Sequence, residues 1–88
     1  MLQKAFITAW NYTVQNIERL LEHWKQMIEG GSSLEKIRGK QMIELTQEGK
    51  IDVFVPELMQ MVLEMIEVHD LEHFMVCFLD GTKKEILV

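Results

Sequence analysis

One cysteine, one proline and five glycines are spread over 88 residues, and no apolar run approaches the roughly 18 residues that a membrane span needs. A lone Cys77 cannot form an internal disulfide, which suits a reducing, cytoplasmic setting. The first ten residues lack the basic start and continuous apolar core of a signal peptide, so no export is expected. Positive charge is also short: nine Lys and Arg face fourteen Asp and Glu, for a net −5. That balance argues against autonomous nucleic-acid binding, which needs a surplus of cations gathered on one face. Lys83 and Lys84 form the only adjacent basic pair and are weak candidates for DNA contact; a solvated strand end explains them more cheaply.

Catalytic and metal patterns are equally thin. Ser32 and Ser33 follow Gly30-Gly31 with no nucleophile elbow around them, and a helix cap is their simpler role. No phosphate-cradling glycine loop occurs, and Glu64 and Glu67 read as solvated carboxylates. The stretch His69-Asp-Leu-Glu-His-Phe-Met-Val-Cys77 does crowd ligand-type side chains together. Its flanks Val68, Phe74, Val76 and Phe78 alternate as strands do, however, so His69 and His73 are expected at facing strand ends with no complete four-ligand set. Cys77 then becomes a buried, inert thiol. No catalytic residue, metal ligand or cofactor is expected.

What the chain does have is periodicity. Ile7, Trp10, Val14, Ile17, Leu21, Trp24 and Ile28 recur in steps of three and four, predicting one long helix from about Gln3 to Glu29 with a continuous apolar seam. On this spacing Trp10 and Trp24 belong to packing rather than base stacking. A helix of that length spans about 40 Å, against a radius of gyration of about 12 Å for a compact domain of this size. One end is therefore expected to project or to be covered by a partner, and the seam is a candidate surface for homo-oligomerisation.

Gly30-Gly31 stops this helix, and Ser32 or Ser33 caps a second one carrying Leu34, Ile37, Met42 and Leu45 inward, folded back as an antiparallel hairpin. Gly39 costs a helix about 1 kcal/mol relative to Ala, so close helix-helix approach is its expected reason. Pro56 suits the first position of a third helix with Leu58, Met59, Val62, Leu63 and Ile66 as its apolar face. Met61 and Met65 on that helix read as core filler before they read as a peptide groove. From about residue 66 the period becomes two, and Asp80-Gly81 marks a hairpin turn. Phe74, Val76 and Phe78, joined by Val68 and Ile86, should face the helices. The expected fold class is therefore α+β in a single domain over 1–88, helical to about 66 and a small antiparallel β-meander thereafter.

Two islands, Ala5-Phe6 with Ala9-Trp10-Asn11, and Ile66-Glu-Val-His69 leading to Phe78-Leu-Asp-Gly-Thr82, resemble the C-terminal region of large serine site-specific recombinases. The resemblance runs over nearly the whole chain. It implies a segment lying after the zinc-ribbon cysteines of a longer protein, without the Ser nucleophile or the CxxC ligand pairs. Such a segment would be noncatalytic, would meet DNA through the longer protein, and would support subunit association. The other reading of the same residues is a small free-standing dimeric regulator of phage or plasmid origin.

Overall fold

The computed structural model describes residues 2–87. Four helices precede a three-stranded sheet: α1 (Leu2–Gln15), α2 (Ile17–Gly30), α3 (Ser33–Thr46), α4 (Pro56–Val62), β1 (Leu63–Val68), β2 (His73–Phe78) and β3 (Lys83–Leu87). The sheet is an antiparallel meander in the order β1-β2-β3, so the α+β class read from the sequence is the observed one.

The predicted long helix is divided at Asn16, which sits at φ −105°, ψ 24°. Local polar groups explain the break: the Asn16 side chain donates to the Tyr12 carbonyl at 2.8 Å, and the Thr13 hydroxyl donates to the Ala9 carbonyl at 3.0 Å. Such back-bonds draw carbonyls away from the helix ladder and bend it. The two halves are covered by different elements, α1 by β2 and β3, α2 by α3. The molecule measures 39 × 24 × 23 Å, so the helix length sets the long axis while neighbours flank both halves.

The expected projecting seam is thus corrected. Trp10 and Trp24 are fully buried within the chain, and Val14, Ile17 and Leu21 pack half-buried against the same core. Ile7 and Ile28 are half-buried and lie outside that cluster. The stripe that α1 buries is Ala5, Phe6, Ala9, Trp10 and Thr13, where small side chains let the sheet come close.

Ser32 closes a capping box with Glu35: the Glu35 N–H donates to the Ser32 hydroxyl at 3.2 Å, and the Ser32 N–H to the Glu35 carboxylate at 3.3 Å. Gly39 lies where α3 crosses α2, and a Cβ there would stand 2.9 Å from the Trp24 carbonyl oxygen. Met42 and Thr46 share that buried face. Leu34 and Ile37, expected inward, are 54% and 62% exposed; the side of α3 carrying Gly39 won the contact because only it permits close approach.

Pro56 occupies the start of α4 as expected, but the helix ends at Val62, and Leu63–Val68 is strand rather than helix. Leu63 pairs with Phe78 and Ile66 with Val76, three residues apart on one strand and two on the other. The register shift between Leu63 and Met65 absorbs the extra residue. A helix-spaced apolar pair therefore shares one face of a strand through a bulge. Phe74, Val76, Phe78 and Ile86 form the inner face as expected, whereas Val68 is 60% exposed near the sheet's end.

Candidate functional site

The β2–β3 turn is the most heavily anchored loop. The Gly81 N–H donates to the Phe78 carbonyl at 3.1 Å and the Phe78 N–H to the Thr82 carbonyl at 2.9 Å, with Gly81 at φ +89°, a conformation that glycine adopts without strain. Asp80 is buried at the apex, where its carboxylate accepts from the Trp24 indole at 2.6 Å, from the Thr82 N–H at 3.0 Å and from the Thr82 hydroxyl at 2.6 Å. His23 lies 2.8 Å from the Asp80 carbonyl; because a carbonyl only accepts, Nε2 of this ring carries the proton. Trp24 and Asp80, 56 positions apart, thus lock the hairpin onto α2.

A second clamp holds the loop after α3. Asn11 donates to the Ile51 carbonyl at 2.7 Å and accepts from the Ile51 N–H at 2.8 Å, which satisfies both backbone groups of one residue. Phe54, further along that loop, meets Phe6 edge-on at a centroid distance of 6.2 Å. Phe6 and Trp10 also contact Phe78, at 6.3 and 6.1 Å. Each such aromatic pair contributes about 0.5–1.5 kcal/mol beyond burial.

Beside the anchored turn, a groove of about 510 Å³ opens between the Asn16 bend and the edge strand β3. Tyr12, Arg19, Thr82, Lys83, Lys84 and Glu85 line it. The Lys84 ammonium sits 4.0 Å over the Tyr12 ring, and Arg19 donates to the Tyr12 hydroxyl at 3.4 Å. One tyrosine thereby gathers two cations from elements 65 positions apart in sequence, by a cation–π contact and a hydrogen bond. Arg19 and Lys84 bring two cations to this lining in a chain whose net charge is −5, while Lys83 and Glu85 border it from alternate positions of β3 that face the other side of the sheet. The groove offers electrostatic attraction for an anion.

Of the sequence candidates, Lys84 therefore meets Arg19 at Tyr12 while Lys83 borders the groove from the other face of the strand; of the seven seam residues, Trp10 and Trp24 lie in the core, Val14, Ile17 and Leu21 at its margin, and Ile7 and Ile28 outside it. Arg19 was missed. Its signal was the seven-residue step from Tyr12, two helical turns that keep both on one side of the helix.

The His-rich segment forms the β1–β2 connection. The His69 N–H donates to the His73 carbonyl at 3.0 Å, and the two imidazoles turn to different carboxylates, His69 to Glu67 and His73 to Asp70. The Asp70 hydrogen bond raises the pKa of His73. Asp70 is held below the usual carboxylate range, first by the Glu72 N–H and then by His73. Cys77 lies on the face opposite Val76 and Phe78, between Met65 and Lys83 on the neighbouring strands, and burial pushes its thiol pKa up. Among the described residues, no three or more His, Cys, Asp or Glu converge on a metal position, and no helix is long and apolar enough to cross a membrane. Comparison with protein-family models, curated proteins and solved structures returns no match for this chain.

Proposed function

We propose that the chain is the noncatalytic C-terminal region of a serine site-specific recombinase, bracing a DNA-binding module and assisting subunit association. The observation that carries this reading is where the two islands of resemblance fall in space. Ala5, Phe6, Ala9 and Trp10 are fully buried, Phe78 packs on Phe6 and Trp10, Asn11 clamps Ile51, and Asp80 receives Trp24. Residues that resemble one family in two distant segments thus form a single packing unit.

In this reading the Ser nucleophile and the zinc-binding cysteines belong to preceding segments of a longer protein. DNA is delivered by that protein, in the cytoplasm, and the Arg19–Lys84 groove adds a contact to a backbone phosphate. Phosphate contacts position a protein without reading bases, which fits a bracing role. The test is the coding sequence upstream of Met1. An in-frame catalytic domain followed by CxxC pairs is the expected finding. A stop codon and a ribosome-binding site directly before Met1 overturns the reading in favour of the free-standing dimeric regulator. That second reading is favoured by one observation, the exposed apolar side of α3.

A further inference from the structure

We infer that Arg19, Tyr12 and Lys84 form a single site for one phosphate group, with the Tyr12 hydroxyl as its third ligand and the Tyr12 ring as the support of Lys84. The inference rests on the reading of this groove as a phosphate contact, and not on the recombinase kinship. It starts from a lysine on an apolar face. Lys84 pairs with the buried Val76 on the inner side of the sheet, two residues before the buried Ile86. A lysine placed there lays its stem along apolar surface and must carry its charge out to a polar or aromatic partner. Because β3 is an edge strand, the ammonium reaches the groove, where it sits 4.0 Å over the Tyr12 ring.

The same tyrosine holds a second cation at its hydroxyl, to which Arg19 donates at 3.4 Å. With Lys84 over the ring, the two contacts keep the cationic nitrogens within about 8 Å of each other. One tetrahedral phosphate accepting from both at ordinary hydrogen-bond lengths bridges roughly 7 Å. Like charges this close repel, and an anion between them removes the repulsion. Both charges are uncommitted: among the described residues, neither Arg19 nor Lys84 forms an ion pair with a carboxylate. The hydroxyl inventory selects Tyr12 as the third ligand. Thr13 gives its proton to the Ala9 carbonyl and Thr82 gives its own to Asp80, so neither has one left for a ligand. The Tyr12 hydroxyl accepts from Arg19, which leaves its proton to be donated between the two cations.

The test is an NMR titration of the full chain with inorganic phosphate and, separately, with a short DNA duplex, each against sodium chloride at matched ionic strength. The expected result is a saturable shift of the Tyr12, Arg19 and Lys84 side chains beyond the chloride response. Tyr12→Phe, at an exposed position, keeps the ring and removes the hydroxyl. The ring-current displacement of the Lys84 ε-protons should therefore persist while the dissociation constant rises about 3- to 10-fold. Tyr12→Leu should abolish that displacement as well and weaken binding further. Lys83→Ala removes the same charge from the opposite face of β3, so it should weaken phosphate binding less than Lys84→Ala. A response to phosphate without one to the duplex upholds the site and overturns the DNA contact proposed above. Shifts no larger than in chloride with both probes overturn the inference. So does a Tyr12→Phe chain that binds as tightly as the parent, or a Lys83→Ala loss equal to that of Lys84→Ala.

Discussion

Replacing Asp80 by Asn keeps the size and shape of the buried side chain and removes only its charge and one acceptor. In the native turn, Oδ2 accepts from the Trp24 indole while Oδ1 accepts twice from Thr82. An amide can serve one side only. With its oxygen toward Thr82, its NH₂ faces the indole N–H; turned over, the NH₂ faces the Thr82 N–H. Either way a charge-assisted hydrogen bond is lost and two donors oppose each other in a buried site, at a cost of about 2–4 kcal/mol. A domain of this size has roughly 4–13 kcal/mol in total, and each kcal/mol shifts its midpoint by about 4–8 °C. Asp80→Asn should therefore lower Tm by roughly 10–30 °C, read by far-UV circular dichroism and by urea titration. Trp24→Phe breaks the same bond from the other side. In the double variant the amide no longer faces an indole donor, so the combined loss should fall short of the sum by about 1 kcal/mol or more. A loss below about 1 kcal/mol for Asp80→Asn, or strict additivity in the double variant, refutes the anchoring role.

Three further outcomes are expected. Gly39→Ala gains about 1 kcal/mol of helix propensity but drives a Cβ to 2.9 Å from the Trp24 carbonyl, backbone that cannot swing away, so it should lose about 1–2 kcal/mol net in urea titration. Gly30→Ala, with nothing within 4 Å, should be neutral or gain up to about 1 kcal/mol; equal effects at the two positions would refute the close-approach argument. His73 gains a partner, so its contribution is full below the ordinary 6.5 and disappears as pH rises through its raised folded value. The Asp70 contribution is full above 3.8 and disappears as pH falls through its lowered one. Asp70→Asn should return the His73 titration, followed by NMR, toward 6.5, and an unchanged titration would exclude the pair. If the proposed recombinase reading holds, Lys84→Ala or Arg19→Ala in the longer protein should weaken duplex binding about equally for all sequences and reduce the salt slope by about 1; a sequence-selective loss in a binding titration would contradict a phosphate contact.

Local signals in the chain carried much of the architecture. Ser32 with Glu35, Pro56 ahead of an apolar run, Gly30-Gly31 and Asp80-Gly81 act through backbone dihedrals and hydrogen bonds within a few residues, so helix starts, stops and the last turn were readable before any tertiary contact was known. Gly39 was legible for the same reason, because its cost to a helix demands a steric cause. Strand alternation at Phe74, Val76 and Phe78 announced the inner face of the sheet.

What required tertiary structure was the choice among faces and partners. Leu63 and Ile66 satisfy a helical period equally well, and only the bulge opposite Phe78 and Val76 made them strand. Leu34 and Ile37 have the spacing of a buried stripe, yet Gly39 let the other side of α3 reach α2 first. Arg19 became part of a site because a strand more than sixty residues later brought Lys84 to the same tyrosine. The sequence by itself determined the starts at Ser32 and Pro56 and the stops at Gly30-Gly31 and Asp80-Gly81, since those energies are local, but neither the break at Asn16 nor the end of α4 at Val62. Which side of each element is buried, and which charges meet, depended on groups arriving from distant positions, and periodicity carries no information about them.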